Sequence, residues 1–402
     1  MPSVLFVGAG RHQRRAIVQA RERGLVVVAV DRNRNAPGLR AADVAEVVDF
    51  ADLEAVEEVA RRHAVDGALT VSADRAVPVV AAVTERLGLP SIGTEVAHRM
   101  THKIAMRRTL AEEGIPQPSF AAVRNLAEGR AAIETVGLPA VLKPVDSGGQ
   151  RGLFRVDTPG DLESHLHSAL AESPTQEAIL EAFVEGTEMN GIVVARNGDA
   201  KLVTLSDRLR PPGVGFGVGW IHLYPASIHS DQLELAEQLA ERSVTALGLR
   251  DGIAFPQLIA TSDGGVAVVE VAARIPGGQM ADLVRHAVGV DLVEAALRFA
   301  LGEHVPDELA LPRFSRPLAI RFLTASPGPL PTGTVRHVGP LDRVLASEGV
   351  VQAETYLAEG ETIRPVRLDG DRRGYVIATA DTSIEALARA ERASALLEVE
   401  VE

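Results

Sequence analysis

The sequence predicts an α/β protein of several domains, and three observations lead to that prediction. The first is length, since 402 residues exceed what one hydrophobic core usually serves and suggest two to four domains. The second is the alternation of strand-like apolar runs and helical patterns over residues 1–95, which is typical of a doubly wound sheet. The third is a series of strands with one amphipathic helix over residues 180–271, followed by a β-rich unit over 311–402.

The N-terminal region predicts a Rossmann-like unit. Residues 4–7 and 26–30 are continuous apolar runs, as expected of parallel strands covered on both faces. Residues 46–49 and 67–71 predict weaker strands of the same sheet. Residues 52–63 carry apolar side chains at helical spacing and predict the crossover helix between these two strands.

Later elements are predicted from spacing and end signals. One helix is expected over residues 94–113, because the prolines and glycine of 114–118 stop it. Thr158, Pro159 and Asp161 are a cap, a first-position proline and a first-turn acid, so a helix begins there. The remaining predictions are strands at 178–183, 191–196, 201–205, 253–259 and 266–271, a helix over 233–247, and a last helix that Thr382 and Glu385 open.

Composition excludes several classes of protein. Apolar residues are 46% of the chain, so a packed core is expected rather than disorder. Aromatic residues are only 3% and the net charge is −13, which argue against partners such as nucleic acid or acidic membranes. The chain has no cysteine, which excludes disulfides, thiolate metal sites and a cysteine nucleophile. Because the N-terminus lacks a basic-then-apolar signal, we expect a soluble cytoplasmic protein.

Lysine is rare in this chain, and its rarity singles out particular positions. Lys103, Lys143 and Lys201 are the only lysines among 41 basic residues. Because arginine serves wherever general positive charge suffices, a retained lysine indicates a position that needs a compact point charge. Lys143 ends a short apolar run, residues 140–142, which predicts a buried strand that aims the ammonium group at a fixed point.

A glycine-rich loop follows Lys143. It contains Ser147, Gly148, Gly149 and Gly152, and the missing side chains let backbone N–H groups approach an anion closely. A strand-end lysine alone is usually solvated, and a glycine loop alone is usually a turn. Their succession indicates a phosphate-binding site.

Lys103, Lys143 and the glycine loop, in this order, resemble the ATP-grasp superfamily, whose members clamp ATP between two lobes with a lysine from each of these places. The resemblance covers essentially the whole chain. It implies an ATP-grasp fold, with a two-lobed α+β nucleotide-binding core, and ATP and Mg²⁺ as cofactors. The implied domains are a Rossmann-like domain at 1–95, a small lobe at 96–186, a large nucleotide and metal lobe at 187–310, and a β-rich C-terminal domain at 311–402.

Residues 178–188 fit the adenine hinge of that superfamily, E-x-x-x-x-G-x-E. By resemblance, Glu181 and the backbone of Phe183 and Val184 hold the adenine edge, and Glu188 accepts the ribose hydroxyls. These residue types suit that chemistry, because a strand offers backbone donors and acceptors while a carboxylate accepts two neighbouring hydroxyls.

Glu270 and Arg274 fit the end of the metal-binding strand in the superfamily. The resemblance makes Glu270 a Mg²⁺ ligand with Gln257 as its partner, and it makes Arg274 the catalytic group that stabilises a transferring phosphoryl group. Two departures matter: Ala272 stands where the superfamily has an asparagine ligand, and Gln257 is neutral where an acid is common. The sequence therefore leaves the number of bound Mg²⁺ ions open.

The pattern E-x-A-A-R-x-x-G-G, which ends in Gly277 and Gly278, is most similar to L-amino acid ligases. That resemblance implies an ATP-dependent carboxylate–amine ligase, which forms an acyl phosphate and releases ADP and phosphate. It also makes His222, Arg208 and Arg210 candidate substrate-binding residues. The implied partners are a small-molecule carboxylate, such as an amino acid, and an amine; the family layout is often a homodimer.

Three alternatives remain open from the sequence. Residues 8–10 and Asp31 approach a dinucleotide fingerprint and raise NAD binding, although the third glycine is missing. A purine-biosynthetic ATP-grasp enzyme would hold a phosphoribosyl substrate at the same loop, and residues 372–376 favour that alternative. A nucleotide-binding ATP-grasp protein without activity would account for Ala272 and Gln257.

Overall fold

The structure is a computed structural model that describes residues 1–214 and 217–402. Its N-terminal part has strands β1 (Ser3–Val7), β2 (Val26–Val30), β3 (Val44–Glu46) and β4 (Gly67–Leu69), and helices α1 (Arg11–Glu22), α2 (Leu53–Arg62) and α3 (Val77–Arg86). The strands are parallel, in the order β3-β2-β1-β4. Consecutive residues of β1, such as Leu5 and Phe6, point to opposite faces of the sheet and belong to different hydrophobic clusters, so both faces are covered. The predicted Rossmann-like domain is confirmed.

The strand predicted at residues 46–49 has the wrong bounds. In strand β3, Val44 pairs with Val28 of β2 and Glu46 pairs with Val30, the last residue of β2. Strand β3 therefore ends where its neighbour ends. Beyond that point Val47 is 49% exposed, which shows that its apolar side chain does not mark a strand.

Two helices, α4 (Thr94–Arg99) and α5 (Lys103–Glu112), replace the single helix predicted over 94–113. The ring of His102 caps α5 by accepting a hydrogen bond from the backbone of Ala105. Since neither glycine nor proline marks this break, the sequence pattern did not reveal it. The break makes Lys103 the first residue of α5, and its backbone N–H donates to Val145 O at 2.8 Å.

The next segment forms an antiparallel sheet with two helices. Its elements are β5 (Phe120–Val123), α6 (Leu126–Val136), β6 (Ala140–Pro144), β7 (Phe154–Val156), α7 (Pro159–Ala171) and β8 (Ala178–Ala182). The strand order is β5-β8-β6-β7, and we call this the small-lobe sheet. Helix α7 begins as predicted, because Thr158 and Asp161 form a reciprocal capping box with Pro159 at the first position.

A long antiparallel sheet dominates the rest of the chain. Its strands are β9 (Thr187–Arg196), β10 (Asp199–Leu209), β11 (Ile221–Tyr224), β12 (Gly252–Ala260), β13 (Val266–Ala272), β14 (Leu318–Phe322), β16 (Val350–Thr355) and β18 (Gly374–Thr379). They lie in the order β13-β12-β9-β10-β11-β14-β18-β16. The predicted domain boundary near residue 310 therefore falls between strands of one continuous sheet.

The remaining elements cover or extend this sheet. They are α8 (Ser230–Ala246), α9 (Met280–Val288), α10 (Leu292–Ala300), β15 (Gly333–Val338), α11 (Asp342–Leu345), β17 (Thr362–Ile363), α12 (Ser383–Ser394) and β19 (Val399–Val401). One hydrophobic cluster joins β1 and α1 to α9, α10 and β14, so the N-terminal sheet packs directly on the body of the protein. In the part of the chain that the structure describes, no helix is long and apolar enough to cross a membrane.

Candidate active site

A cavity of about 500 Å³ lies where the structural units meet. The small-lobe sheet contributes Val141 and Lys143, and the long sheet contributes Met189 and Leu258. The N-terminal unit adds a segment that includes Asp74, and residues after β13 complete the wall. Because every unit supplies part of the lining, the cavity depends on the whole assembly.

Most of the residues predicted for the site line this cavity. They are Lys103, Lys143, Ser147, Gly148, Gly149, Glu181, Phe183, Val184, Glu188, Arg208, His222, Gln257, Glu270, Arg274, Gly277 and Gly278. Gly152 and Arg210 are also described by the structure, but they do not line the cavity. Gly152 has φ +67°, and a Cβ there would lie 2.9 Å from Pro144 Cγ, so the chain's path and packing require this glycine. The individual chemical roles remain predictions.

Lys143 is held in place by a buried carboxylate. Its Nζ lies 2.8 Å from Glu181 Oε2, and Arg107 Nε donates to Glu181 Oε1 at 2.9 Å. Burial alone would raise the pKa of Glu181, but the charges of Arg107 and Lys143 outweigh it and hold that pKa at about 2. Burial also lowers the pKa of Lys143, against the opposing charge of Glu181. In this arrangement the carboxylate of Glu181 anchors the lysine. The role at the adenine edge that the resemblance implies for Glu181 stays a prediction.

Arg107 is a site-forming residue that the sequence analysis missed. Its side chain is 1% exposed, and it also donates to Val268 O at 2.9 Å and to Val269 O at 2.5 Å. It therefore ties α5 to both the small-lobe sheet and strand β13. A signal did exist, because Lys103 and Arg107 are four residues apart and share one face of α5.

Lys103 connects the glycine loop to the predicted metal-binding strand. Its Nζ donates to Ser147 O at 2.8 Å and lies 3.6 Å from Glu270 Oε1. The hydroxyl of Ser147 is buried and has no partner among the described residues. An unpartnered hydroxyl beside a lysine and a glycine loop fits the oxygens of a phosphate group.

Arg274 meets an acid from the N-terminal unit. Its Nε donates to Asp74 Oδ1 at 2.6 Å, although the two residues are 200 positions apart. Burial would lower the pKa of Arg274, but the adjacent Asp74 carboxylate outweighs it and raises that pKa. The guanidinium is therefore charged and fixed. Asp74 was not found from the sequence, since no local pattern marks it.

Glu188 is paired with two of the predicted substrate residues. Arg208 Nη1 lies 2.5 Å from Glu188 Oε2, and Arg210 Nε lies 3.0 Å from Glu188 Oε1. The two arginines thus neutralise the acid predicted to bind ribose. Arg208 also stands in register with His222 of the neighbouring strand β11.

Oxygen donors from three neighbouring strands stand in one row. Asn190 of β9 is in register with Gln257 of β12, which is in register with Glu270 of β13. All three line the cavity, and Asn190 Oδ1 is buried without a partner among the described residues. Within the described ranges, no group of three or more His, Cys, Asp or Glu side chains could hold a metal by itself. These oxygens fit Mg²⁺ only if phosphate oxygens complete its coordination.

His222 and Arg372 line the cavity beside Phe322. His222 stands edge-on to Phe322 at 5.5 Å between ring centroids, and Arg372 Cζ lies 4.2 Å from the centre of that ring. Burial, with the nearby charges of Arg372 and Arg208, puts the pKa of His222 well below its usual range. His222 is therefore neutral at neutral pH. Gly278 leaves space there, since a Cβ would lie 3.2 Å from His222 Nε2.

The N-terminal glycine loop has a structural explanation. Asp31 Oδ2 accepts a hydrogen bond from Ala9 N at 2.9 Å, and its other oxygen accepts one from Asn33 N at 2.8 Å. In a dinucleotide site Asp31 would bind the ribose, but here both of its carboxylate oxygens already accept hydrogen bonds from backbone N–H groups. This arrangement argues against the NAD alternative.

Family models match most of the chain. The ATP-grasp domain matches residues 108–278, and the ATP-grasp N-terminal domain matches residues 17–91. The chain is a member of the ATP-grasp superfamily. A third model, L-amino acid ligase C-terminal domain 2, matches residues 322–402 of this ATP-grasp protein. The recognised family, its fold and the ligase class predicted from the sequence are confirmed.

Individual relatives are distant. This ATP-grasp protein is 29% identical over 320 residues to the uncharacterized protein y4rH of Sinorhizobium fredii, an alignment that covers 78% of this chain and only 63% of the relative. It is 28% identical to a formate-dependent phosphoribosylglycinamide formyltransferase of Ignicoccus hospitalis, covering 98% of this chain and 95% of that protein. The structure of an L-amino acid ligase from Bacillus licheniformis superposes with a TM-score of 0.84 at 21% identity, covering 100% and 99% of the two chains. At that identity the superposition establishes the fold.

Proposed function

We propose that this ATP-grasp protein joins an amino acid or a related carboxylate to an amine, with ATP as the phosphoryl donor. One observation carries the proposal. Residues within the segment that matches the L-amino acid ligase C-terminal model, among them Phe322, Tyr356 and Arg372, line the same cavity as Lys103 and Lys143. The residues proposed to bind phosphate and side chains of that C-terminal segment therefore line one cavity.

The nucleotide side of the cavity supplies charge and fixed donors. Lys103, Lys143 and the backbone of the glycine loop bind the phosphates of ATP, which is the chemistry that a compact ammonium group and bare N–H groups provide. Glu270 and Gln257 would hold Mg²⁺ together with the phosphates. A bound Mg²⁺ ion would neutralise phosphate charge during transfer.

The reaction then needs no protein nucleophile. A carboxylate oxygen of the substrate attacks the γ-phosphorus of ATP, ADP leaves, and an acyl phosphate forms. The amine attacks the acyl carbon, phosphate leaves with the bonding electrons, and the nitrogen loses a proton. Arg274 stabilises the transferring phosphoryl group.

The test is ADP release over a matrix of amino acids and amines, with mass analysis of the products. We expect ADP release that depends on both substrates and yields an amide of the summed mass less water. ADP release with no amine-dependent product for any pair would contradict the proposal.

A second candidate has its own support. Relatives that align over nearly the whole chain carry the name formate-dependent phosphoribosylglycinamide formyltransferase. In addition, Arg11 and Arg372 both line the cavity, and two guanidinium groups suit a phosphate-bearing substrate. Saturable micromolar binding of a phosphoribosyl amine, measured by calorimetry, would favour this candidate over an amino acid substrate.

A further inference from the structure

Asp74 lines the cavity but belongs to neither the small-lobe sheet nor the long sheet. It follows strand β4 of the N-terminal unit and opens a short 3-10 turn. Its carboxylate faces Arg274, which follows strand β13, and accepts a hydrogen bond from Arg274 Nε at 2.6 Å. A backbone contact supports this junction, because Ser72 N donates to Ile275 O at 2.9 Å. The acid is thus fixed at the boundary between the N-terminal unit and the long sheet.

The bond at Nε leaves one end of the guanidinium available. Arg274 Nη1 is buried and has no partner among the described residues. The guanidinium is planar, so a hydrogen bond at Nε sets the direction in which both Nη groups point. The ring of Phe255, centred 5.5 Å from Arg274 Cζ, lies beside the same group. A buried, charged and unpartnered donor in this position is ready for an anionic oxygen.

Asp74 also touches the glycine loop. A Cβ built on Gly148 would lie 2.3 Å from Asp74 Oδ2, so only a glycine lets the loop approach this carboxylate. The second oxygen of Asp74 is therefore next to the loop predicted to hold phosphates. A single carboxylate sits between the loop and the arginine.

We propose that Asp74 is a positioning residue, which aligns the guanidinium of Arg274 with the phosphoryl group in transfer. The N-terminal unit thereby completes a site that the ATP-grasp lobes would otherwise leave loose. The charges agree with this role, since the Arg274 and Lys103 charges hold the pKa of Asp74 below its usual range against the opposing effect of burial. The inference rests on the proposed function in one respect, namely that Arg274 contacts the transferring group.

The test uses a mimic of the transferring phosphoryl group, so it does not require the true substrates. ADP with magnesium, alone and with aluminium fluoride, is titrated into wild-type protein and into Asp74→Asn. Asp74 does not hold ADP in the proposed site, so ADP affinity should change by less than about twofold. The extra affinity gained from aluminium fluoride should fall by about tenfold in Asp74→Asn, as expected for a misdirected charged hydrogen bond.

Two further variants separate positioning from general damage. Arg274→Lys should lose the aluminium fluoride enhancement, and adding Asp74→Asn to it should cause no further loss, because Asp74 acts through Arg274. Asp282→Asn is the matched control, since it removes another buried acid that pairs with an arginine, Arg15, but it does not line this cavity. That variant should keep the full enhancement.

Clear outcomes would overturn the inference. They are an unchanged enhancement in Asp74→Asn, no enhancement in the wild-type protein, or additive losses in the double variant. Failure of the proposed ligase reaction is a different result, because it would appear as missing amide product while the aluminium fluoride titrations still report on Asp74 and Arg274.

Discussion

Replacing Lys143 by arginine keeps the charge and should nonetheless impair ATP binding. The lysine side chain is 8% exposed, and its Nζ is 2.8 Å from Glu181 Oε2. A guanidinium fork is wider than an ammonium group, so it must displace either Glu181 or the phosphates. Loss of one charge-assisted contact to phosphate is worth about 1.5–3 kcal/mol, or about ten- to a hundredfold in ATP affinity.

The burial of Lys143 adds a stability effect that its strand-end position did not suggest. Forcing a larger group beside Glu181 and Arg107 should lower the free energy of unfolding by about 1–3 kcal/mol, because both of these side chains are buried. Lys201→Arg is the control, since Lys201 is 44% exposed and pairs with Asp199 on the surface. Its ATP affinity and stability should match the wild type.

Calorimetric titration with a non-hydrolysable ATP analogue measures the affinity, and urea unfolding measures the stability. Wild-type affinity in Lys143→Arg would refute the reasoning, as would equal losses in both variants.

Three other perturbations follow from the site. The pKa of Glu181 is held at about 2 against its usual 4.5, so its ion pairs stabilise the fold fully above about pH 4.5. That contribution, about 3 kcal/mol, is lost as the pH falls toward 2. Urea unfolding between these pH values should therefore show a free energy of unfolding that depends less steeply on pH in Glu181→Gln than in the wild type. Gly148→Ala should weaken ATP binding at least tenfold, because the added Cβ would collide with Asp74. Gly160→Ala in α7 is the control, since the nearest atom to its added Cβ is 3.7 Å away. That variant should bind ATP as the wild type does and should be equally stable or slightly more stable. Gln257→Glu places a second carboxylate beside that of the neighbouring strand, so Mn²⁺ affinity measured by electron paramagnetic resonance should rise by about tenfold; no rise would remove Gln257 from the metal site.

The local parts of the site could be predicted from the sequence. Lys143 at the end of an apolar run, with Gly148 and Gly149 after it, is a signal within about a dozen residues, and all three residues line one cavity. The capping box of Thr158 and Asp161 is equally local, because both residues lie in one turn. Such features depend on backbone preference and spacing, which a single sequence displays directly.

The contacts that hold these groups in position could not be predicted from the sequence. Arg107 reaches Glu181 across 74 residues, and Asp74 reaches Arg274 across 200. Neither pair has a motif, since the geometry arises only when separate sheets pack together. The break before Lys103 was missed for a different reason, because a histidine cap has no strong sequence signal.

The continuity of the long sheet limits how this protein can be divided. Strand β11 pairs on one side with β10 and on the other with β14, which lies beyond the predicted boundary near residue 310. A fragment that ended at that boundary would leave the backbone groups of Ile221–Tyr224 that face β14 without partners, and it would expose the apolar side chains that pack on Ala319 and Ala386. Exposed strand edges of this kind recruit other chains. A fragment meant to carry the two lobes should therefore not end near residue 310. It should keep every strand of the long sheet, because the hydrogen bonds of that sheet cross the predicted boundary.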